Sequence, residues 1–554
     1  MIDRRKRPPH RGGQREGLAD LDRQLVEALA RRAQAMAGSA RARKARGGSL
    51  ADHEMERRSW REWASLAGSQ GLDLPTLRKL FALANGLGYE LAGHEPAAPA
   101  RRLSFRPEPG PLDLELAGPA SRLFARAALF TSGVLGAPLR LDPAVLDDAL
   151  AGLAKAMNSA GGRVSMLPDA LAVEAGPAPD LANRSLFVGE DELNLYLLLA
   201  LALGRPGRST FTGGTALKAM DLSPAAELCT RMGARLAAVE PMSWGLPARL
   251  ESTGLVDSGL RHGETIARLD LAANTPPALA LALALAAPFY PAGLTLAWPA
   301  PSAGAGALDA AMEQAAGLLP RLGAKAEASG RTLHVPPGTR GPAPAPPLDL
   351  DPLLSAYLLA APRAAGGRVA VLGSWPASGP EARAAADALA LLGQAGLAVA
   401  AGSGRAESRA EAAPRRAELS AAGREELAPL ACALALAAPE GATLHLPPAS
   451  QAEAEGFFAV FGRTARTAGE NLDLAPAGTP AERREQALPC ASAWWVLGLA
   501  AASFALPGVA PANPGLLSGL WPAFPRLFAD AFGPRRETPK EPDSDRKPRR
   551  RVKL

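Results

Sequence analysis

The chain has 554 residues, 47% of them hydrophobic and 21% charged, a balance that excludes disordered and fibrous classes and leaves room for three or four domains. Its net charge of +6 sits largely in the two ends: Arg4, Arg5, Lys6, Arg7 and Arg11 in front, and Arg546, Lys547, Arg549, Arg550, Arg551 and Lys553 behind. No aromatic side chains interleave with these charges, so residues 1–13 and 534–554 read as solvated basic tails and nucleic acid is the most distant of the partners considered.

Cys229, Cys432 and Cys490 are far apart and form no metal-ligand spacing, which fits a reducing, cytoplasmic setting and calls for no metal or other cofactor. The start MIDRRKRPPHRGG has no apolar core of a signal peptide. Two stretches carry no charge, 272–308 and 487–525. Prolines interrupt both, and their apolar runs fall short of the ~20 residues that a membrane span needs, so no membrane is expected as a partner.

Residues 14–95 form a first domain without strand signals, rich in Arg, Leu and Ala. Helix patterns run over roughly 15–45, 49–69 and 73–92, with Asp73 as an N-cap and Pro75 in the first turn. Three long helices with short links and one apolar stripe cannot close a core alone, so a homodimer through these helices is expected. A linker, 96–111, follows.

From 112 the period changes. Leu112-Asp-Leu-Glu-Leu116 alternates as a strand. Thereafter helix patterns end on a Gly that opens a short apolar strand, at Gly162, Gly233, Gly323, Gly396 and Gly469. The intervals are 233−162 = 71, 323−233 = 90, 396−323 = 73 and 469−396 = 73 residues. A sixth helix pattern, 522–532, ends at Gly533 with no strand behind it, so the strand at 112–116 is expected to complete that carboxyl-terminal unit. The fold class is therefore α/β: six α/β units in two lobes, 119–340 and 112–118 plus 341–533, preceded by an all-α domain. The chain crosses between lobes near Gly118 and again in the Pro-rich stretch 336–347.

The segments GPASRLFARAALF (118–130), FVGEDELNLYLLLALAL (187–203), TGGTALKAMDLSPAAELCTRMGARL (212–236) and LDLAANTPPALALALALAAPF (269–289) give this region, roughly 112–533, a resemblance to the enolpyruvyl transferases, above all the 5-enolpyruvylshikimate-3-phosphate (EPSP) synthases. That resemblance implies transfer of a carboxyvinyl group from phosphoenolpyruvate to shikimate 3-phosphate. Two phosphates and two carboxylates must then be held by Lys, Arg and hydroxyl groups. The family's ligand groups are thinned here. Arg126 matches the arginine of its Lys-Ser-x-Ser-x-Arg motif, but Ser121 stands where the lysine belongs. Gly-Asn-Ala-Gly-Thr-x-x-Arg has become Gly189-Glu-Asp-Glu-Leu-Asn-Leu-Tyr196. Lys218 survives in the third motif, with Ala216 and Met220 at the arginine positions, and Pro276-Pro277-Ala278 replaces Ser-Ser-Gln. The general-base carboxylate falls on Glu426. The Lys-Glu-x-x-Arg and Asp-His-Arg motifs, near 451–456 and 490–495, have lost their charged groups. Cys229 lies on a predicted helix and does not fit the role of a loop cysteine.

In the first domain LADLDRQLVEALARRAQ (18–34), DHEMERR (52–58) and TLRKLFALANGLGYEL (76–91) resemble the small all-helical chorismate mutases. The resemblance implies an intertwined dimer that binds a cyclic dicarboxylate through Arg15, Arg32, Arg43, Asp52 and Glu56. Arg43 stands in place of the usual Lys, Met55 in place of an Arg, and Ala92 in place of a Gln. Arg32 and Arg43 are eleven residues apart, about three helical turns, and share a face. Two readings stand side by side: a divergent carboxyvinyl transferase fused to a mutase-like domain, with shikimate 3-phosphate, phosphoenolpyruvate and chorismate as small-molecule substrates, or a non-catalytic scaffold or regulator of the same pathway.

Overall fold

The computed structural model describes residues 12–45, 53–70, 73–93, 103–167, 169–239, 245–254, 268–300, 306–346, 348–411, 414–476 and 487–534. Both expected basic tails, apart from 12–13 and 534, lie outside the described residues.

The first domain is helices α1 (Gly12–Ala45), α2 (His53–Gln70) and α3 (Leu74–Gly93). α1 and α3 approach closely because small residues line the contact: Ala37, Ala40 and Ala92 are buried together, and a Cβ on Gly88 would lie 2.6 Å from Met36. Leu80, Leu83, Leu87 and Leu91 on α3, and Leu21, Leu25 and Val26 on α1, stay exposed. The domain rests on the next one through Gly86, where a Cβ would lie 2.2 Å from the Thr215 hydroxyl.

The remainder is α/β. After β1 (Leu112–Ala117), the first lobe contains α4 (Arg122–Leu135), β2 (Leu139–Leu141), α5 (Asp148–Ser159), β3 (Val164–Leu167), β4 (Ala170–Val173), β5 (Arg184–Phe187), α6 (Glu192–Leu203), β6 (Pro206–Thr212), α7 (Thr215–Ala219), α8 (Ser223–Arg231), β7 (Ala234–Ala238), β8 (Ala248–Thr253), β9 (Arg268–Asp270), α9 (Pro277–Ala286), β10 (Leu294–Ala297), α10 (Gly306–Arg321), β11 (Glu327–Ser329) and β12 (Thr332–Val335). Its sheets have the orders β2-β4-β3, β5-β6-β8-β7 and β11-β12-β10-β9.

The second lobe contains α11 (Pro352–Leu359), α12 (Pro362–Ala365), β13 (Gly367–Leu372), α13 (Ala382–Gln394), β14 (Leu397–Ala401), β15 (Arg405–Ala410), β16 (Ala417–Ser420), α14 (Ala428–Ala435), β17 (Ala442–His445), α15 (Pro448–Val460), β18 (Ala465–Ala468), β19 (Asn471–Leu474), β20 (Ala487–Leu488), α16 (Ala493–Ala502), β21 (Ala510–Pro511), α17 (Leu516–Leu520) and α18 (Phe524–Phe532). Its sheets are β1-β13-β15-β14, β16-β17-β19-β18 and β20-β21.

Each lobe is built around helices that are apolar on every side, which only a fully enclosed position tolerates. Leu193–Leu203 of α6 and Leu279–Ala286 of α9 are buried without interruption, as are Pro352–Leu359 of α11 and Ala428–Ala435 of α14. The charge-free stretches are thereby explained. α9 and α16 have ten residues each, about 15 Å of helix, half of a bilayer core. No helix among the described residues is long and apolar enough to cross a membrane.

Three expectations need correction. First, β1 pairs in parallel along its length with β13, from Leu112↔Gly367 to Ala117↔Leu372. It therefore extends the unit that opens the second lobe, while the last unit has its own short sheet, β20-β21. Second, the glycine that ends α15 is Gly462 (φ 66°), and Gly469 sits in the hairpin turn between β18 and β19. β18 is mostly exposed and carries Arg466 and Thr467, so it gave no apolar signal, and the Leu-Asp-Leu of β19 was read in its place. Third, of the expected linker 96–111, residues 96–102 lie outside the described residues and 103–111 are not simply a linker. Phe105 is 1% exposed, its ring 5.0 Å from that of Phe528 and 6.1 Å from that of Phe524. The Glu108 amide donates to the Phe532 carbonyl at 2.7 Å. A single aromatic within a polar run carries no periodicity.

The two lobes have separate apolar cores, and the second crossing lies at 348–350, just beyond the expected 336–347: Leu348 packs on the first core and Leu350 belongs to the second. Replacing Phe105 by Ala should destabilise the second lobe by about 3 kcal/mol, as for other buried Phe→Ala changes. Denaturant unfolding measures it, and a change within about 0.5 kcal/mol would mean that residues 103–110 are not part of this core.

Candidate functional site

In the helical domain the structure surrounds Arg32 with its own residues. Its guanidinium lies 5.4 Å from the Trp63 ring centre and 5.3 Å from that of Phe81. Its Nη2 donates to Asn85 Oδ1 at 2.5 Å. Cation–π contacts of this kind hold a guanidinium in place while leaving its edge to bind an anion. Arg43, one of the expected partners of Arg32, donates to Ser39 Oγ on its own helix at 3.0 Å. Glu56 is half-buried on α2, and Arg15 occupies the first turn of α1. Asp52 lies outside the described residues. Ala92 is packed into the α1–α3 contact. Trp63, Phe81 and Asn85 were missed in the sequence because they read there as ordinary apolar and polar helix positions.

The second group of residues lies between the lobes. Here the two chain crossings run side by side: Ala120 and Leu350 form an antiparallel bridge, the Ser121 amide donates to the Asp349 carbonyl at 2.8 Å, and the Asp351 amide to the Pro119 carbonyl at 2.7 Å. A helix starts from each crossing. Ser121, at the position of the expected lysine, N-caps α4 by accepting from the Phe124 amide at 3.1 Å. Asp351 N-caps α11 by accepting from the amides of Leu353 and Leu354 at 3.1 and 3.0 Å.

Arg126 lies on α4 and Lys218 on α7. Arg126 Nη1 donates to Asp191 Oδ2 at 2.8 Å, and the other oxygen of that carboxylate N-caps α6 through the Asn194 amide at 3.0 Å. Lys218 is exposed in the last turn of α7. Glu190 turns back onto the start of α7, where its two oxygens accept from the amides of Thr215 at 3.0 Å and Ala216 at 3.1 Å. A Cβ on Gly214 would collide with that carboxylate, so Gly214 permits the approach. In chemical terms a side-chain carboxylate sits on a pair of helix-start amides, the type of donor that also takes phosphate oxygens. Tyr196 is fully buried in α6; burial and the neighbouring Glu192 push its hydroxyl pKa up. Burial, reinforced by Asp191, also raises Glu192.

The other charges are paired as well. Arg122 Nε donates to Asp351 Oδ2 at 2.7 Å, its Nη1 is 3.9 Å from Asp147, and its guanidinium lies 5.4 Å from the Trp494 ring centre. Burial opposes the charge on Arg122, but Asp351 and Asp147 outweigh it, so the guanidinium stays protonated. Trp494 stacks on Tyr357 at 5.9 Å, and the Tyr357 hydroxyl donates to the carbonyl of Glu426 at 2.6 Å. Glu426 thus neighbours this group through its backbone. Arg184, Arg205 and Arg208 are bound to the Ser159 carbonyl, the Pro179 carbonyl and Glu251. Cys229 is buried in α8, and burial pushes its thiol up to about 12, away from nucleophile chemistry.

Burial, then the nearby Asp351, raises the Glu381 carboxyl well above the usual carboxylate range, opposed by the Ser121 hydroxyl and Arg122. The sign follows from linkage. The folded chain holds this proton more tightly than the unfolded one, so its contribution to stability is full below pH 4.5 and is lost as pH rises toward about 8. Between pH about 5 and about 9, Glu381→Gln should flatten the fall in thermal stability; parallel profiles for the two proteins would contradict the assignment.

Comparison with known proteins bears on both parts. Residues 14–83 match the family described as chorismate mutase type II. None of the curated proteins matches the chain. Two solved structures of EPSP synthase from Acinetobacter baumannii are similar to it at 13% identity, with TM-scores of 0.54 and 0.57, covering 77% of this chain and 98% of theirs. The enolpyruvyl transferase NikO from Streptomyces tendae is similar at 16% identity and a TM-score of 0.54, over 77% of this chain and 96% of its own. The chain thus joins a segment that matches the chorismate mutase type II family to a body with the fold of the enolpyruvyl transferases.

Proposed function

We propose that this protein is a divergent 3-phosphoshikimate 1-carboxyvinyltransferase type of chain, fused to a chorismate-mutase-like domain, that serves aromatic amino-acid synthesis as a binding or regulatory component and no longer transfers the carboxyvinyl group. One observation carries the reading: the Glu190 carboxylate sits on the amides of Thr215 and Ala216. A phosphate entering there would have to displace a carboxylate and then lie beside Glu190, Asp191 and Glu192. Like charges at about 4 Å repel by about 4 kcal/mol at the effective dielectric near a protein surface. Arg126 cannot compensate while Asp191 holds it.

The transfer needs donors placed in advance on two phosphates and two carboxylates, and each lost donor typically costs about 3 kcal/mol of transition-state stabilisation. With Ser121, Tyr196, Ala216 and Met220 at the basic positions, several are missing together. Calorimetry with shikimate 3-phosphate and phosphoenolpyruvate should therefore register weak or no binding, and the pair should release no measurable phosphate. A tight ternary complex, or turnover within about a hundredfold of ordinary rates, would establish the catalytic reading in its place.

The helical domain supports a small-molecule site of its own. Arg32 lies against both Trp63 and Phe81, and with Arg15, Arg43, Asp52 and Glu56 it would grip a cyclic dicarboxylate in a folded conformer. The exposed leucines of α3 and of the first half of α1 support pairing with a second copy. Sedimentation should find the full chain dimeric and a chain lacking residues 1–95 monomeric; a monomeric full chain at micromolar concentration would refute the pairing. If chorismate is turned over, Arg32→Ala should abolish it, and full activity in that variant would remove Arg32 from the site.

A further inference from the structure

One helix, α3, borders both parts of the chain. Along one stripe it meets the helical domain's own residues: Phe81 and Asn85 meet Arg32, Gly88 meets Met36, and Ala92 packs with Ala37 and Ala40. These positions recur every three or four residues, which keeps them on one side of the helix. Gly86 stands one residue off that stripe, about 100° around the helix, and faces α7 of the first lobe. A Cβ on Gly86 would collide with the hydroxyl, the methyl and the Cβ of Thr215. At Gly88 and Gly86 alike, α3 presents bare backbone to its neighbour, with no side chain of its own to absorb a shift.

Arg32 ties the first side together. Its guanidinium is bound by the buried Asn85 and lies against Phe81 of α3 and Trp63 of α2. On the other side, Thr215 is also the residue whose amide donates to Glu190 at 3.0 Å, and the Ala216 amide adds a second bond at 3.1 Å. α7 has five residues, too few to hold a helical shape without outside contacts. Glu190 and Gly86 supply two such contacts.

We propose that α3 couples the two sites: a cyclic dicarboxylate bound at Arg32 holds α3 in place, and α3, through Gly86, steadies α7 against the Glu190 carboxylate. The coupling deepens the regulatory reading above and rests on the small-molecule site proposed there for the helical domain. A ligand carboxylate on Arg32 fixes the guanidinium, and with it Asn85 and Phe81. The helix then loses freedom along its whole length, and the unpadded contact at Gly86 passes that order to α7. Ordering α3 opposes ligand binding, and less so when α7 already braces the helix. Coupling between sites is reciprocal, so loosening α7 weakens the ligand at Arg32.

Calorimetry and hydrogen exchange on the full-length protein test the coupling, with the cyclic dicarboxylate prephenate as the probe. Prephenate should bind the wild type and slow exchange in residues 213–219 by about fivefold or more, with the enclosed helix α14 unchanged as the internal control. Thr215→Ala removes the hydroxyl and methyl that meet Gly86 but keeps the amide that donates to Glu190. Prephenate should still bind this variant, and its slowing of 213–219 should vanish. Glu190→Ala, which frees the start of α7, should weaken prephenate by about fivefold or more in calorimetry. Binding to the wild type with unchanged exchange at 213–219 would overturn the coupling and leave the small-molecule site standing. Slowing that survives in Thr215→Ala, or wild-type affinity in Glu190→Ala, would do the same. No binding of prephenate to the wild type would overturn the small-molecule site and the coupling together.

Discussion

The structure depends on the place where the chain crosses between lobes twice. The crossings pair with each other at Ala120 and Leu350, and from that short ladder Ser121 and Asp351 each cap a helix that runs into its own lobe. Backbone hydrogen bonds fix where α4 and α11 begin, and the helix starts fix where Arg122 and Asp351 meet. Everything else about the cleft follows from that geometry. The residues that face one another there are 229 positions apart in sequence, yet they are set by a bridge of one residue pair.

A second feature recurs around this hinge. Positive and hydrogen-bond-donating groups in the cleft are met by carboxylates of the chain itself: Asp191 on Arg126, Asp351 on Arg122, Glu190 on the amides that start α7. In each case the carboxylate has a second task or a fixed anchor. Asp191 and Asp351 cap helices, and Glu190 takes two amides at once. Asp191 and Asp351 are costly to displace, because moving either leaves both a cation and a helix start unsatisfied. The helical domain adds weight at the same spot, since Gly86 of α3 packs on Thr215, whose amide Glu190 holds.

Much of this was legible in the sequence, and the parts that were not share a cause. Repeat spacing and all-round apolar helices gave the α/β units, since those signals are local. The acidic run Glu190-Asp191-Glu192 announced a changed cradle but not what its carboxylates bind. Only the fold shows that Glu190 and Asp191 are each bound. Arg122, Asp147, Asp351 and Glu381 went unnoticed because their partners are far off in the chain, although Asp351-Pro352 is a clear helix-start signal. Gly462 and Phe105 were missed for the opposite reason: each sits in a polar stretch where one residue carries the structure and no period reveals it.

The central claim is that the cleft already contains its own anions. Removing them is the direct test. Titration of inorganic phosphate, followed by the ³¹P resonance, should give no saturable binding to the wild-type protein and a saturable site in the Glu190→Ala, Asp191→Asn double variant, which keeps the α6 cap while freeing Arg126 and the amides of Thr215 and Ala216. Saturable phosphate binding in the wild type that weakens in the double variant would contradict the account.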